Sequence, residues 1–325
     1  MKAIVYDEYG PPDVLRLAEV AKPTPKEHEI LVKVRAASVN PLDWHFIRGE
    51  PSIMRLHGKP KGRIPGADVA GVVEAVGPNV TQFRAGDEVF GACRNGAFAA
   101  YVCGTEERFA PKPAALSFEQ AAAIPIAGCT ALQALRDHGR VQAGQSVLIN
   151  GAAGGVGTFA VQFAKALGAD VTGVCSTRNV GLVRSIGAAN VIDYTAEDFT
   201  RQARRYDLIL GVAGNAAVAD MRRALAPNGQ LVVVGGGVGH DPGSGVTVPG
   251  MLALMITSLV SRLGRQRVSM YVAKIRADDL EFIADLAAAG KLTPVIDRTY
   301  SLADAADAVR HLEAGHARGK VIVTP

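Results

Sequence analysis

The 325-residue sequence predicts an α/β chain of two parts: a barrel-like β part and a doubly wound parallel sheet. Three observations carry this. The chain is longer than one hydrophobic core usually supports. Its first 120 residues read as short strands punctuated by Gly and Pro, the pattern of a β barrel. From Val147 onward, short apolar strands alternate with helices, which requires right-handed crossovers and a parallel sheet.

In the first part, Ile30–Ala36 alternates as a half-buried strand does, and Asp68–Val76 is a β-branched run closed by Gly77-Pro78. Gly86-Asp87 is a turn feeding Glu88–Phe90. The rhythm changes near residue 118, where Phe118–Ala123 and Thr130–His138 are expected as helices around a break at Pro125. Val147–Ile149 then reads as a buried strand, and Val156–Leu167 as a helix stopped by Gly168. Val171–Val174 is the next strand, followed by a helix over Val180–Ile186 that Gly187 ends. Val191-Ile192, Leu208–Leu210 and Gln230–Val234 are further strands, with helices expected near Phe199–Arg204 and Met221–Leu225. After residue 275 come a helix over Asp278–Ala289, a strand over Val295–Tyr300, a helix over Ala303–Leu312 and a last strand, Val321–Val323. These last pieces are free to rejoin the first part.

Nearly half the residues are apolar and the charged share is ordinary, which is a globular composition. The net charge of +4 is scattered, as in Arg201, Arg204 and Arg205, or Arg262, Arg265 and Arg267. Nucleic-acid binding needs a clustered basic stripe, so no nucleic-acid partner is expected. The four cysteines show no C-x-x-C spacing and are too few for a disulfide framework, which fits reduced thiols in the cytoplasm. The first ten residues, with acids and a glycine, do not read as a signal peptide. Met251–Val260 is the longest apolar run, about half a membrane span, and is expected as a buried or partner-facing helix, with no membrane span in the chain.

The segment Gly151-Ala152-Ala153-Gly154-Gly155-Val156-Gly157 carries the chemistry. A glycine fingerprint alone is weak, but this one follows a strand and opens a helix. Small residues let the backbone approach a pyrophosphate, and the helix N-terminus offers N–H groups and partial positive charge to it. A turn that only packs the helix on its strand is the plainer alternative. About 20 residues on, an NAD site places an acid for the ribose hydroxyls. Here stands Cys175-Ser176-Thr177-Arg178-Asn179, with no acid. Ser176 and Arg178 can donate hydrogen bonds to a 2′-phosphate, so NADP(H) is expected over NAD. A merely solvated Arg178 is the alternative.

Further segments carry a resemblance: Ala37-Ser-Val-Asn-Pro-Leu-Asp43, Ile64-Pro-Gly-Ala-Asp-Val-Ala-Gly-Val-Val73, Gly86-Asp-Glu-Val-Phe90, Ala188-Ala-Asn-Val-Ile-Asp-Tyr194 and Gly319-Lys-Val-Ile-Val323. With the glycine turn, they make the chain resemble the medium-chain dehydrogenase/reductase superfamily, and within it the zeta-crystallin-like quinone oxidoreductase branch. The resemblance runs end to end. It implies a GroES-like β-barrel catalytic domain from residues 1–121 and 276–325, with a Rossmann domain from 122–275 inserted. Zinc-dependent relatives carry Cys-His where this chain has Val39-Asn40-Pro41, Gly-His-Glu at Gly66-Ala67-Asp68, and a third ligand at Ile126. None of the three positions offers a thiolate or imidazole, so no metal is expected. Cys129, near the third position, reads as a small buried residue.

The resemblance also implies site residues. The active-site segment maps onto Asn40, Asp43 and His45, with Asn40 near the nicotinamide and the substrate carbonyl. His45 stands where relatives often have Tyr or Lys, which contact cofactor or donate a proton; an exposed histidine without chemistry is the alternative. Asp43 caps or braces the loop. Thr130 is expected at the nicotinamide end, Tyr194 at the adenine-ribose end, and Gly319 and Lys320 approach from the tail. Ala153, Gly154, Gly155, Val156, Val212 and Gly235 complete the expected cofactor contacts. Without a Lewis acid, the substrate should be a ready hydride acceptor, a quinone or an α,β-unsaturated carbonyl. An alkenal or enone reductase and a crystallin-like NADPH-binding protein with little turnover are the rival readings. The apolar stretch Val246–Leu263 is implied to border the substrate cleft and to lead to a strand near Val268–Val272 that pairs across a homodimer.

Overall fold

The computed structural model describes residues 1–50, 55, 58–213, 216–234, 256–261 and 264–325. They divide into two compact units: Met1–Cys129 with Ile275–Pro325, and Thr130–Lys274.

The first unit is built on β3 (Glu29–Val39). Its buried Ile30, Val32 and Val34 alternate with the outward Lys33 and Arg35, so one long strand supplies both core and surface. β3 pairs antiparallel with β4 (Asp68–Val76) and β6 (Tyr101–Thr105), and β4 continues to β5 (Glu88–Ala92) and β7 (Phe109–Pro111). Two register shifts bend the β3–β4 ladder, between Leu31 and Val32 and between Val34 and Ala36. The chain's end does rejoin this sheet. β15 (Lys320–Thr324) runs antiparallel to β3, with Val321 opposite Val39, and β14 (Ile296–Ser301) lies parallel to β15. β1 (Lys2–Val5) and β2 (Arg16–Glu19) form a separate hairpin-like pair. Phe98, Phe109, Val69, Val73, Val321 and Val323 fill the interior.

The second unit holds a six-stranded, wholly parallel sheet in the order β10-β9-β8-β11-β12-β13. The strands are β8 (Ser146–Asn150), β9 (Asp170–Cys175), β10 (Asn190–Asp193), β11 (Tyr206–Gly211), β12 (Leu225–Val234) and β13 (Arg267–Tyr271). The order runs outward from β8 in both directions, so the topological switch lies between β8 and β11. Val147, Leu148, Ile149, Ile209 and Leu231 are fully buried, as strands covered on both faces must be.

Of the helices, α1 is Pro41–Arg48, α2 Phe118–Ala122, α3 Pro125–Gln133, α4 Gly155–Ala166, α5 Val180–Ser185, α6 Val218–Arg223, α7 Ala277–Ala288 and α8 Ala305–Glu313. Three local expectations are corrected. Pro125 begins α3 instead of breaking a helix, because a missing N–H costs nothing in a first turn. The helix expected near Phe199–Arg204 is one 3₁₀ turn, Phe199–Arg201, where the Asp198 carboxylate accepts from the Thr200 N–H and hydroxyl at 2.9 and 2.7 Å. Leu225 opens β12 instead of closing α6.

The apolar stretch 246–263 lies mostly outside the described residues. Within it, 256–261 is helical, and Ile256, Leu259 and Val260 are more than half exposed.

Candidate active site

In the second unit the glycine turn sits at the carboxyl end of β8, beside the switch point. The Gly151 and Ala152 N–H groups donate to Val174 O of β9 at 3.2 and 3.0 Å, which pins the turn to its neighbour. Gly157 is required for packing: a Cβ there would lie 2.0 Å from Gly151 O. Gly154 differs. A Cβ on it would meet only Gly151 O, at 3.5 Å, so the space above it is open to a ligand. Gly154 is also the N-cap of α4 and no side chain caps the helix. The N–H groups of the first turn therefore face outward without an intrahelical acceptor. An anion fits that arrangement.

Neighbouring strand ends bring up the other expected contacts. Val212 N and Ala213 N donate to Asn150 O at 3.0 and 3.2 Å, which sets Val212 beside the turn. Ser176 follows β9; its hydroxyl oxygen accepts from Asn179 Nδ2 at 3.2 Å. Arg178 lies exposed in the 3₁₀ turn Thr177–Asn179. Tyr194 follows β10, held by its N–H to Cys175 O at 3.0 Å, with half its surface exposed. Ala153, Gly154, Gly155, Val156, Ser176, Arg178, Tyr194 and Val212 thus lie after the carboxyl ends of four adjacent strands. Thr130 lies on α3 and its carbonyl accepts from the Tyr271 hydroxyl. Gly235 lies outside the described residues. A cavity of about 280 Å³ in this unit, lined by Thr172, Asn190, Arg204 and Tyr206, lies toward the amino ends of the strands and away from the turn.

In the first unit, Asn40, Asp43 and Lys320 gather around Asp68, a carboxylate in the segment Ile64–Val73 to which the sequence assigned no role. Asn40 ends β3 and caps α1. The Asp43 carboxylate accepts from Asn40 N at 2.7 Å, one half of a capping box. Asp68 Oδ2 accepts from Asn40 Nδ2 at 2.9 Å, from the Ser38 hydroxyl at 2.9 Å and from Lys320 Nζ at 3.5 Å. Asp68 Oδ1 accepts from Ile126 N at 3.0 Å. Lys320 Nζ donates to Asn40 Oδ1 at 2.6 Å. Asn40, Asp43, Asp68 and Lys320 are all 3% exposed or less. The available sequence signal was Asp68 itself, an acid heading the apolar run Val69–Val73.

Burial pushes the Asp43 carboxyl up to about 7, against the Asn40 N–H bond that lowers it, and burial pulls the Lys320 ammonium below its ordinary value. His45, on α1, stacks on Trp44 at 3.7 Å between ring centroids, and its Nδ1 lies 3.4 Å from Glu50 Oε2. Gly319 has φ +90°, and a Cβ there would lie 2.3 Å from Val295 O, so its place in the tail is structural. Among the described residues, no group of three or more His, Cys, Asp or Glu side chains is placed to hold a metal ion. Ala67 is buried, Ile126 contributes its backbone N–H to Asp68, and Cys129 is fully buried.

A parallel sheet with an uncapped glycine turn at its switch point, joined in one chain to a β-barrel unit, defines an oxidoreductase of the nucleotide-dependent dehydrogenase class. Comparisons with known proteins narrow this. Residues 26–114 match the model of the alcohol dehydrogenase GroES-like domain, and residues 186–323 match that of the zinc-binding dehydrogenases. The chain is 33% identical over 340 residues to a chloroplast envelope quinone oxidoreductase homolog of Arabidopsis thaliana, covering 100% of this chain and 98% of that one. It is 34% identical over 343 residues to an NADPH-dependent alkenal/one oxidoreductase of the same plant, covering 100% and 80%. The solved quinone oxidoreductase of Coxiella burnetii superposes with a TM-score of 0.88 at 32% identity, covering 100% and 99%. The chain belongs to the medium-chain dehydrogenase/reductase superfamily, in its quinone oxidoreductase branch.

The Asp43 shift has a signed consequence. The folded chain holds this proton more tightly than the unfolded chain, whose carboxyl titrates near 3.8. Its contribution therefore favours folding fully below about pH 4 and is lost as pH rises toward 7. Asp43→Asn keeps a carbonyl acceptor for Asn40 N but has no proton to lose. The stability of the variant relative to the native chain is expected to rise from pH 4 to 7 and level off above. Urea unfolding across that range measures it; a difference independent of pH overturns the assignment.

Proposed function

We propose that the chain is an NADPH-dependent, zinc-independent reductase of quinones and α,β-unsaturated carbonyls. The observation that carries this reading is the acid-free end of β9: Ser176 and the exposed Arg178 stand one strand from the uncapped N-terminus of α4. The open space above Gly154 admits a pyrophosphate, and the first-turn N–H groups of α4 would hold it. Ser176 and Arg178 would take a 2′-phosphate, Arg178 through a charged fork. Tyr194 would cover the adenosine end, and Ala153, Gly155, Val156, Val212 and Gly235 would line the remaining backbone approach. Thr130 would lie at the nicotinamide end. When bound, the cofactor supplies a hydride from its C4 atom. The chain's own contribution is placement and charge.

The positions that would carry zinc ligands hold Asn40, Ala67 and Ile126, and their polar atoms are spent on protein hydrogen bonds. This supports a reaction that does not polarise its substrate through a metal, hence an acceptor already prone to take hydride. The names of the two plant relatives, one for quinones and one for alkenals and enones, support the same class. His45, packed on Trp44 with its Nδ1 3.4 Å from Glu50 Oε2, would supply the accompanying proton. A homodimer is also proposed: β13 has a ladder partner only on its β12 side among the described residues, and Val272 beyond it is 89% exposed. Four cysteines without C-x-x-C spacing support a reducing compartment, the cytoplasm.

Three measurements test these readings. Arg178→Ala is expected to cut the preference for NADPH over NADH about ten- to a hundredfold, the worth of a charged hydrogen bond. An unchanged ratio sinks the assignment. Steady-state oxidation of NADPH with a panel of quinones, alkenals and enones should show turnover. Binding of NADPH without turnover of any acceptor would favour the crystallin-like reading instead. Light scattering should read a mass near twice 33.9 kDa, and a single-chain mass refutes the dimer.

A further inference from the structure

We propose that Lys320 is a positioning residue: its buried ammonium, held between Asn40 and Asp68, fixes the corner where β3 turns into α1, and it does not contact the cofactor. The inference rests on the reading that the Asn40 segment serves the reacting end of the site.

The geometry is specific about what each atom does. An ammonium can only donate and an ionised carboxylate can only accept. The Asn40 amide bridges the two, Oδ1 accepting from Lys320 Nζ at 2.6 Å and Nδ2 donating to Asp68 Oδ2 at 2.9 Å. That arrangement fixes which end of the amide is which. The second Nδ2 hydrogen reaches Ser38 O at 3.4 Å, so both amide hydrogens are directed into the protein. Lys320 Nζ has two further acceptors, Val39 O at 3.4 Å and Asp68 Oδ2 at 3.5 Å. With three acceptors for three hydrogens and 3% exposure, the ammonium has no donor left for a phosphate or an amide of a bound molecule. Asp68 is engaged on both oxygens, by Ser38, Asn40 and Lys320 on one and by Ile126 N on the other.

Four separated stretches of chain meet at this pair: the corner from β3 into α1, the start of β4, the first turn of α3 and the start of β15. Lys320 arrives on β15, whose neighbour Val321 pairs with Val39, one residue before Asn40. The tail therefore delivers a charge to the underside of the active-site corner. Losing that charge leaves the buried Asp68 carboxylate without its countercharge and frees Asn40 Oδ1 at once, whereas losing both charges leaves no charge unpaired.

This asymmetry supplies the test. Four proteins are compared at full length: native, Lys320→Met, Asp68→Asn and the double variant. Each is measured for thermal unfolding, for NADPH affinity by fluorescence titration, and for kcat and KM with a quinone. Lys320→Met is expected to lower Tm by at least about 5 °C and kcat about tenfold or more, with the NADPH Kd within about twofold of native. The double variant should recover most of the lost Tm, because the carboxylate left behind has been neutralised. A Kd for NADPH weakened more than tenfold by Lys320→Met, with Tm unchanged, would make Lys320 a cofactor contact and overturn the proposal. A double variant no more stable than Lys320→Met would overturn it too. If Lys320→Met does not fold, a soluble double variant supports the pairing and an insoluble one refutes it. The Tm and Kd readouts need no acceptor, so an error in the proposed substrate class leaves this test standing.

Discussion

Asp68 has no exposed surface and carries a charge that the protein alone must satisfy. A buried carboxylate is tolerated only when its oxygens are hydrogen-bonded and a countercharge stands nearby. Both conditions are met by atoms from distant parts of the chain. Ser38 and Asn40 come from β3 and its end, Ile126 from the start of α3, and Lys320 from the last strand. The arrangement of this unit follows from that demand. β15 must return across some 280 residues of sequence to lie beside β3, since without it the carboxylate faces Asn40 with no countercharge. Gly319, at φ +90°, lets the chain pass Val295 closely enough to enter that register. A strand that looks like a mere tail is thereby part of the corner on which the candidate site is built.

The second unit solves the opposite problem. The interior of its sheet is apolar, and the glycine turn lies at the carboxyl end of β8. Gly157 brings α4 down onto Gly151 O, and Gly154 leaves the helix start bare. Where the first unit leaves no polar atom of its cluster spare, the second leaves a row of N–H groups unspent. The closed cluster holds side chains in place, and the open helix terminus has the N–H groups and partial positive charge that suit an anion.

This contrast also explains what could be read from the sequence. The parallel sheet was legible because its strands are short apolar runs between glycine stops, and the stops at Gly168 and Gly187 are local events. The glycine turn was legible because its residue types answer a local steric need. The helix expected near Phe199–Arg204 starts with an ordinary cap, Asp198 accepting from the Thr200 N–H, but stops after one turn because the backbone is already extended at Gln202. Pro125 was misjudged because the residue that forbids a helix interior is welcome at its start. Asp68 and Ser38 were invisible for a different reason. Their partners lie as far as 252 residues away, and only the fold brings them together. Lys320, Asn40 and Asp43 could be named through resemblance, but no spacing in the chain says that the first two share a hydrogen bond.

What the closed cluster implies for chemistry follows from the inventory of lone pairs. Asn40 has both amide hydrogens directed inward, and its Oδ1 already accepts from an ammonium. Asp68 has both oxygens in use, and Asp43 spends its carboxylate on the α1 cap. Of the polar side chains in the expected active-site segment, His45 is the one outside this network. Its Nδ1 is turned toward Glu50 at 3.4 Å, and its ring lies on Trp44. The contact and the stack hold the ring in place. The acidic and amide side chains of the segment thus build the platform that holds the corner between β3 and α1.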